Sequence, residues 1–350
     1  MHYKEFFKKK IINQSIYNNK LNWFFDIKSI LYSNIKKNQL TNYAEQLVND
    51  YKKIKINDNL KKNKSIINAK SVKLDKIIKN RKSGNTKIIE IIKLIKKLNF
   101  KKFFKFFLVH GSVASNDYIY GWSDFDTWVV INKDTLSSTN QLLILRKKLL
   151  KFYKQVIKFS KFQHHGINLY TEKDLKNYLQ GYLPKQALVK NLNLLEEYEI
   201  VFCQNKTKNI NLSKKILIEK YKFLKHAIKK GKYDHHVIKD IPTLPFKKGD
   251  PFLFELFYHI GTMLNIPILY LDTLGKSSHK KKSFQKFYRI INNEFIINFI
   301  KKHEHIRKKW PKYKKDGFNI PDKLIKDLGD EYLKNCLLVY KIILKKINSY

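Results

Sequence analysis

Phe103-Phe104-Lys105-Phe106-Phe107-Leu108-Val109-His110-Gly111-Ser112 and, after eleven intervening residues, Asp124-Phe125-Asp126-Thr127-Trp128-Val129-Val130-Ile131 are the stretches on which the fold turns. The first is an apolar run of strand length that stops abruptly at a Gly-Ser pair. The second alternates, then becomes wholly apolar, and reads as another strand. Before them, Ile88, Ile91, Ile92, Ile95 and Leu98 form one helical stripe behind the breaker-and-cap Ser83-Gly84-Asn85-Thr86. After them, Leu142 to Ile157 reads as a helix and Phe159 to Tyr170 as a strand. Glu172 to Leu179 then opens a further helix with Thr171 as its cap. Helix, strand, strand, helix, strand predicts an α+β unit with a small mixed sheet.

The two stretches also carry the chemistry. Carboxylates one residue apart on extended chain point to the same face, so Asp124 and Asp126 form a pair of hard oxygen ligands. Such a pair suits Mg²⁺ where phosphates complete the shell. A Gly-Ser turn directly after a strand lets backbone N–H groups and one hydroxyl approach a phosphate, which assigns Gly111 and Ser112 to phosphate binding. Phosphoryl or nucleotidyl transfer needs both parts.

A strand, a Gly-Ser turn, a spacer of about a dozen residues and an Asp-x-Asp strand resemble the signature of the DNA polymerase β-like nucleotidyltransferase superfamily. The resemblance covers residues 86–175. It implies that Gly111 and Ser112 contact the β- and γ-phosphates of a nucleoside triphosphate, with ATP the expected one. It implies that Asp124 and Asp126 hold Mg²⁺, and that a helical substrate domain follows. The expected reaction is Mg²⁺-dependent transfer of a nucleoside monophosphate to an acceptor hydroxyl, with pyrophosphate released. The acceptor stays open between a small molecule, a protein and an RNA. The superfamily places a third carboxylate on a later strand, whereas Phe162 to Tyr170 holds none and has His164-His165-Gly166 instead. His164 or His165 is therefore the candidate for the third role, as a metal ligand or as the general base. Substrate domains of the superfamily often send a Lys to the triphosphate. The start of the helix opened by Lys280-Lys281-Lys282-Ser283, after the turn Leu274-Gly275-Lys276, makes Lys282 and Ser283 candidates for that contact.

Composition sets the limits around this unit. The 350 residues carry 72 Lys plus Arg against 29 Asp plus Glu, a net charge of +43. Only Arg81, Arg146, Arg289 and Arg307 are arginine, and 68 residues are Lys. Abundant Lys, Ile, Asn, Phe and Tyr point to a compositional bias, while Arg, the usual residue for bidentate phosphate or base recognition, is scarce. Nucleic acid stays open as a partner. The rival to the enzyme is a non-catalytic, Lys-rich nucleic-acid-binding protein on a degenerate nucleotidyltransferase scaffold.

Two cysteines, Cys203 and Cys336, exclude a disulfide scaffold. A charged start and no clean span predict no membrane partner and a cytoplasmic location. Pro251 to Leu271, the nearest approach to a span, is interrupted by Glu255, His259, Asn265 and Pro267, and reads as a buried helix with a following turn. Asp234-His235-His236 and His303-Glu304-His305 lack zinc spacing and read as surface. The expected organisation is a helical N-terminal segment, 1–84, the nucleotidyltransferase core, 85–175, and a helical substrate domain, 176–350.

Overall fold

The computed structural model describes residues 14–26, 29–30, 35–54, 67–71, 85–114, 117–119, 121–156, 167–176, 188–196, 198–203, 206–230, 252–278, 280–313 and 320–348. The chain divides into two compact units. The first comprises Met1–Asn116, Asp124–Leu183 and Asn191–Ile200, and the second Asp117–Ser123, Pro184–Lys190 and Val201–Tyr350. No helix among the described residues is long and apolar enough to cross a membrane.

The strands are β1 (Ile67–Ser71), β2 (Phe104–Val109), β3 (Thr127–Ile131), β4 (Asn168–Thr171), β5 (Leu188–Asn193) and β6 (Tyr198–Cys203). They lie in the order β1-β6-β5-β2-β3-β4. β2 is antiparallel to β3, with Val109 opposite Thr127 and Leu108 opposite Trp128. It is also antiparallel to β5, with Val109 opposite Leu192. β3 is parallel to β4, from Trp128 opposite Asn168 to Ile131 opposite Thr171. The fold is thus α+β with a mixed sheet. Every residue of β3 is buried, as expected of a β-branched strand covered on both faces.

The helices of the first unit are α1 (Gln14–Phe25), α2 (Lys37–Lys53), α3 (Asn85–Lys97), the single turn α4 (Gly111–Ala114), α5 (Lys133–Leu136), α6 (Thr139–Val156) and α7 (Glu172–Lys176). α6 links the parallel pair β3 and β4, as a parallel connection requires. It buries Leu142, Leu145, Leu149, Phe152 and Val156. Phe152 meets Phe100 and Phe107 edge-on at 5.6 and 5.4 Å between ring centres, and the predicted stripe of α3 is buried as well. The edge strand β4 is closed by a side chain of α1. The Asn22 amide accepts from Leu169 N at 2.9 Å and donates to Leu169 O at 3.0 Å, imitating a neighbouring strand.

Two expectations are corrected, and a third is met over the part of it that is described. β5 and β6 lie in the stretch from 176 onward that reads as helical, and β1 lies in the N-terminal stretch that reads as helical. Tyr198-Glu-Ile-Val-Phe-Cys is rich in strand formers, but flanking Asn and Lys dilute the signal. The predicted strand from Phe159 is strand over Asn168–Thr171, and 157–166 lie outside the described residues. Pro251 to Leu271 is two helices rather than a helix and a turn. The chain breaks at Leu264-Asn265, where Pro267 suits the first turn of a new helix.

The second unit is helical: α8 (Lys206–Lys230), α9 (Phe252–Met263), α10 (Ile266–Thr273), α11 (Lys280–Ile291), α12 (Glu294–Lys309), α13 (Asp322–Leu328) and α14 (Tyr332–Asn348). α10 is buried from Ile266 to Asp272, apolar nearly all round, and packs against α8, α11 and α14. A short helix with no solvent face is the centre of its unit.

Candidate functional site

β2 ends at Val109, and its ladder with β3 runs one step further, because His110 N donates to Asp126 O at 3.0 Å. That bond sets the Gly-Ser turn beside the Asp-x-Asp segment. Gly111 has φ +69°, the left-handed region that favours glycine. A Cβ added there would lie 2.5 Å from Asp126 Oδ2, so the Asp126 carboxylate rests against the glycine backbone. The torsion favours glycine at 111, and a side chain there would have to displace the Asp126 carboxylate.

The Asp-x-Asp segment precedes the strand proper, which begins at Thr127. Burial alternates along it: Ser123, Phe125 and Thr127 are buried, while Asp124 and Asp126 are half-buried. The two carboxylates therefore share the more open side of the segment, as extended chain requires. Ser112, in the turn α4, is also half-buried, and Val113 and Ala114 below it belong to the core. Gly111, Ser112, Asp124 and Asp126 are thus gathered where β2 ends and β3 begins.

The remaining expected residues fall elsewhere. His164 and His165 lie outside the described residues, as do His235 and His236. Among the described residues no three His, Cys, Asp or Glu side chains gather as metal ligands. Asp174 and Thr171 form the cap of α7. Asp174 Oδ2 accepts from Thr171 N at 2.7 Å and Thr171 Oγ1 at 2.8 Å, while Oδ1 accepts from Asn18 at 2.6 Å. Burial raises the Asp174 pKa, and these donors oppose the rise. Glu172 takes Lys105 Nζ at 2.9 Å and Lys133 N at 3.0 Å.

Lys282 and Ser283 sit in the first turn of α11 in the second unit. Lys282 is exposed and Ser283 is fully buried. The surface reading of His303 is corrected. On α12 His303 faces inward with Phe299, and its Nδ1 donates to Phe299 O at 2.8 Å. A carbonyl can only accept, so Nδ1 carries the proton and Nε2 accepts from Tyr332 OH at 2.9 Å. Burial lowers the His303 pKa to about 4. His259, 3.3 Å from Cys336 Sγ through Nε2, is pushed down to about 3 by burial.

The spacer residues Asp117–Ser123 belong to the second unit and are tied there. Arg307 Nη1 pairs with Asp117 Oδ2 at 2.7 Å, and Nη2 donates to Asp117 O at 2.6 Å. Trp122 stands 4.6 Å from Phe257 and 4.9 Å from Trp310, centre to centre. Sequence reasoning missed these residues. The available signal was the rarity of Arg, which marks the few places where a guanidinium fork is used.

No family model, no curated protein and no solved structure matches this chain.

Proposed function

We propose that the chain is a nucleotidyltransferase of the DNA polymerase β-like kind, moving a nucleoside monophosphate from a triphosphate, ATP in the first instance, to an acceptor hydroxyl. The supporting observation is the seating of Asp126 against Gly111, which joins a phosphate-type turn to a carboxylate pair. The donor set fits Mg²⁺: hard oxygens on an open side, held by Asp124 and Asp126. The ion, when bound, supplies charge neutralisation at the reacting phosphate. The chain's own groups do the rest. The backbone of Gly111 and Ser112 and the Ser112 hydroxyl orient the β- and γ-phosphates. The acceptor oxygen forms its bond to the α-phosphorus as the bond to the β-phosphate oxygen breaks, and pyrophosphate leaves. The acceptor's proton passes to a base, for which the sequence offers His164 and His165.

The test is binding of labelled ATP with and without Mg²⁺, followed by intact-mass analysis of small-molecule, protein and RNA acceptors. A mass gain of one nucleoside monophosphate upholds the transfer. Failure to bind nucleotide, together with salt-sensitive binding of RNA, would leave the non-catalytic nucleic-acid binder.

A further inference from the structure

We infer that the outer faces of α8 and α14, side by side in the second unit, form a docking surface for RNA, held by its phosphate backbone. The phosphate chemistry is independent of the transfer reaction proposed above. Only the choice of RNA over DNA rests on that reaction, because RNA is among its acceptors.

α8 and α14 pack against each other, and both pack on α10, which has no solvent face. They form one layer over α10, so the sides turned away from it face solvent together. Leu217 and Leu224 on α8 and Val339 and Ile343 on α14 are buried. Of the described side chains on these two helices that are not buried, ten are lysines and one, Glu219, is a carboxylate. α12 and α13, in the same unit, present six lysines and four carboxylates. A mutational bias toward Lys acts on every helix alike. It leaves carboxylates on α12 and α13, so it does not account for their near absence from α8 and α14.

The lysines of the layer are also unbalanced. Lys222, Lys225 and Lys229 follow at spacings of three and four on α8, and Lys341 and Lys345 at four on α14, so each set lies along one exposed stripe. Among the described residues none of these five forms a salt bridge. Lys215 and Lys334 show the alternative, pairing with Glu219 at 3.8 Å and with Glu331 at 3.0 Å. Like charges three or four apart cost helix stability, and a Glu in place of one would recover it. Runs kept at that cost match an anionic partner.

Lysine meets phosphate as a point charge on a flexible stem. Arginine, the usual reader of base edges, is absent from both helices, so the surface takes backbone rather than sequence. An anionic membrane would need a continuous apolar face beside the lysines. Among the described residues the large apolar side chains exposed on the two helices are Ile228, Leu333 and Leu338. Leu333 and Leu338, five residues apart, lie on different sides of α14.

The test is anisotropy of a labelled, unstructured RNA of about 20 nucleotides with the full chain, without NTP or Mg²⁺, over a salt series. Two variants remove equal charge: Lys222→Gln, Lys225→Gln and Lys229→Gln together on the layer, and Lys308→Gln, Lys323→Gln and Lys326→Gln together on α12 and α13. The layer variant should bind about 10- to 100-fold more weakly at ~0.1 M salt, with a salt slope lower by about 2–3. The other should stay within about threefold of wild type, since distant exposed charges are screened. Should the layer variant not fold, Lys341→Gln with Lys345→Gln replaces it, with a slope lower by about 1–2. Equal weakening in the two triple variants would make the binding a matter of general charge and overturn the inference. Tighter binding of DNA of the same sequence would overturn it too, as would a wild type that ignores RNA and binds phosphatidylserine vesicles. RNA binding lost in the layer variant of a chain without turnover would uphold the surface and remove only the transfer reaction. An active chain that binds no RNA would remove the surface and leave the reaction.

Discussion

Asp124-x-Asp126 and Glu172-x-Asp174 are nearly the same word in the sequence, two carboxylates one residue apart, and they have opposite fates. The first pair sits on extended chain, where alternate residues share a face; both carboxylates are half-buried, and Asp126 rests against Gly111. The second opens a helix, where residues two apart diverge. Asp174 is turned inward onto Thr171 and Asn18, and Glu172 outward onto Lys105 and Lys133 N. His303-x-His305 repeats the lesson on α12: His303 is buried and His305 exposed. A pair of side chains two apart is a joint site only where the backbone is extended.

The sharpest way to break this comparison is to remove charge from each acidic pair in turn. Asp124→Asn or Asp126→Asn should abolish Mg²⁺-dependent NTP turnover, a loss on the order of several kcal/mol of transition-state stabilisation, with the fold intact by circular dichroism. Glu172→Gln should leave turnover per folded molecule unchanged. Near-wild-type turnover in both Asp variants would end the assignment.

The buried histidines give the next effect, read as stability against pH. His303 and His259 are held neutral when folded, with pKa values near 4 and 3 against an ordinary value of 6.5. The unfolded chain takes up protons that the folded chain does not. Stability is therefore complete above about pH 6.5 and lost as pH falls through 6.5 toward 4 and below. Each tenfold difference in proton affinity between the unfolded and folded chain is worth ~1.4 kcal/mol, so the loss amounts to several kcal/mol, in the helical unit. Denaturant melts at pH 7 and pH 4.5 measure it, and His303→Gln should flatten the dependence.

Smaller effects separate the two carboxylate pairs by what each contributes to folding. Gly111→Ala forces a left-handed torsion on alanine and drives a methyl into Asp126 Oδ2, costing about 1–3 kcal/mol for the backbone alone and lowering activity with it. Thr171→Ala removes a cap, costing about 0.5–2 kcal/mol, and should leave turnover per folded molecule untouched. Thermal melts paired with specific activity distinguish the two.

Much of the first unit is legible in the sequence. The stripe of α3, the apolar runs of β2 and β3, the helix α6 and the Thr171 cap follow from periodicity and end signals that act over a few residues. Gly111 beside Asp126 is legible in kind, because an apolar run ending in Gly-Ser and a later Asp-x-Asp run are the two halves of one strand pair. The short strands β1, β5 and β6 are not, because about six residues among Asn and Lys carry too little pattern to outweigh a helical background. Nor are Asn22 on Leu169, Arg146 on Ser29 or Arg307 on Asp117, each a contact across more than a hundred residues that no local rule reports.

The central claim is that Asp124 and Asp126, seated by Gly111, hold a metal–nucleotide complex. Titration of Mn²⁺ and ATP into the full chain, followed by Mn²⁺ paramagnetic resonance, tests it most directly. The expected result is ATP binding that depends on the metal in the wild type, weakened at least about tenfold in Asp126→Asn while Asp174→Asn binds as the wild type does. Equal Mn²⁺–ATP affinity in wild type and Asp126→Asn, or no metal-dependent ATP binding at all, would contradict it.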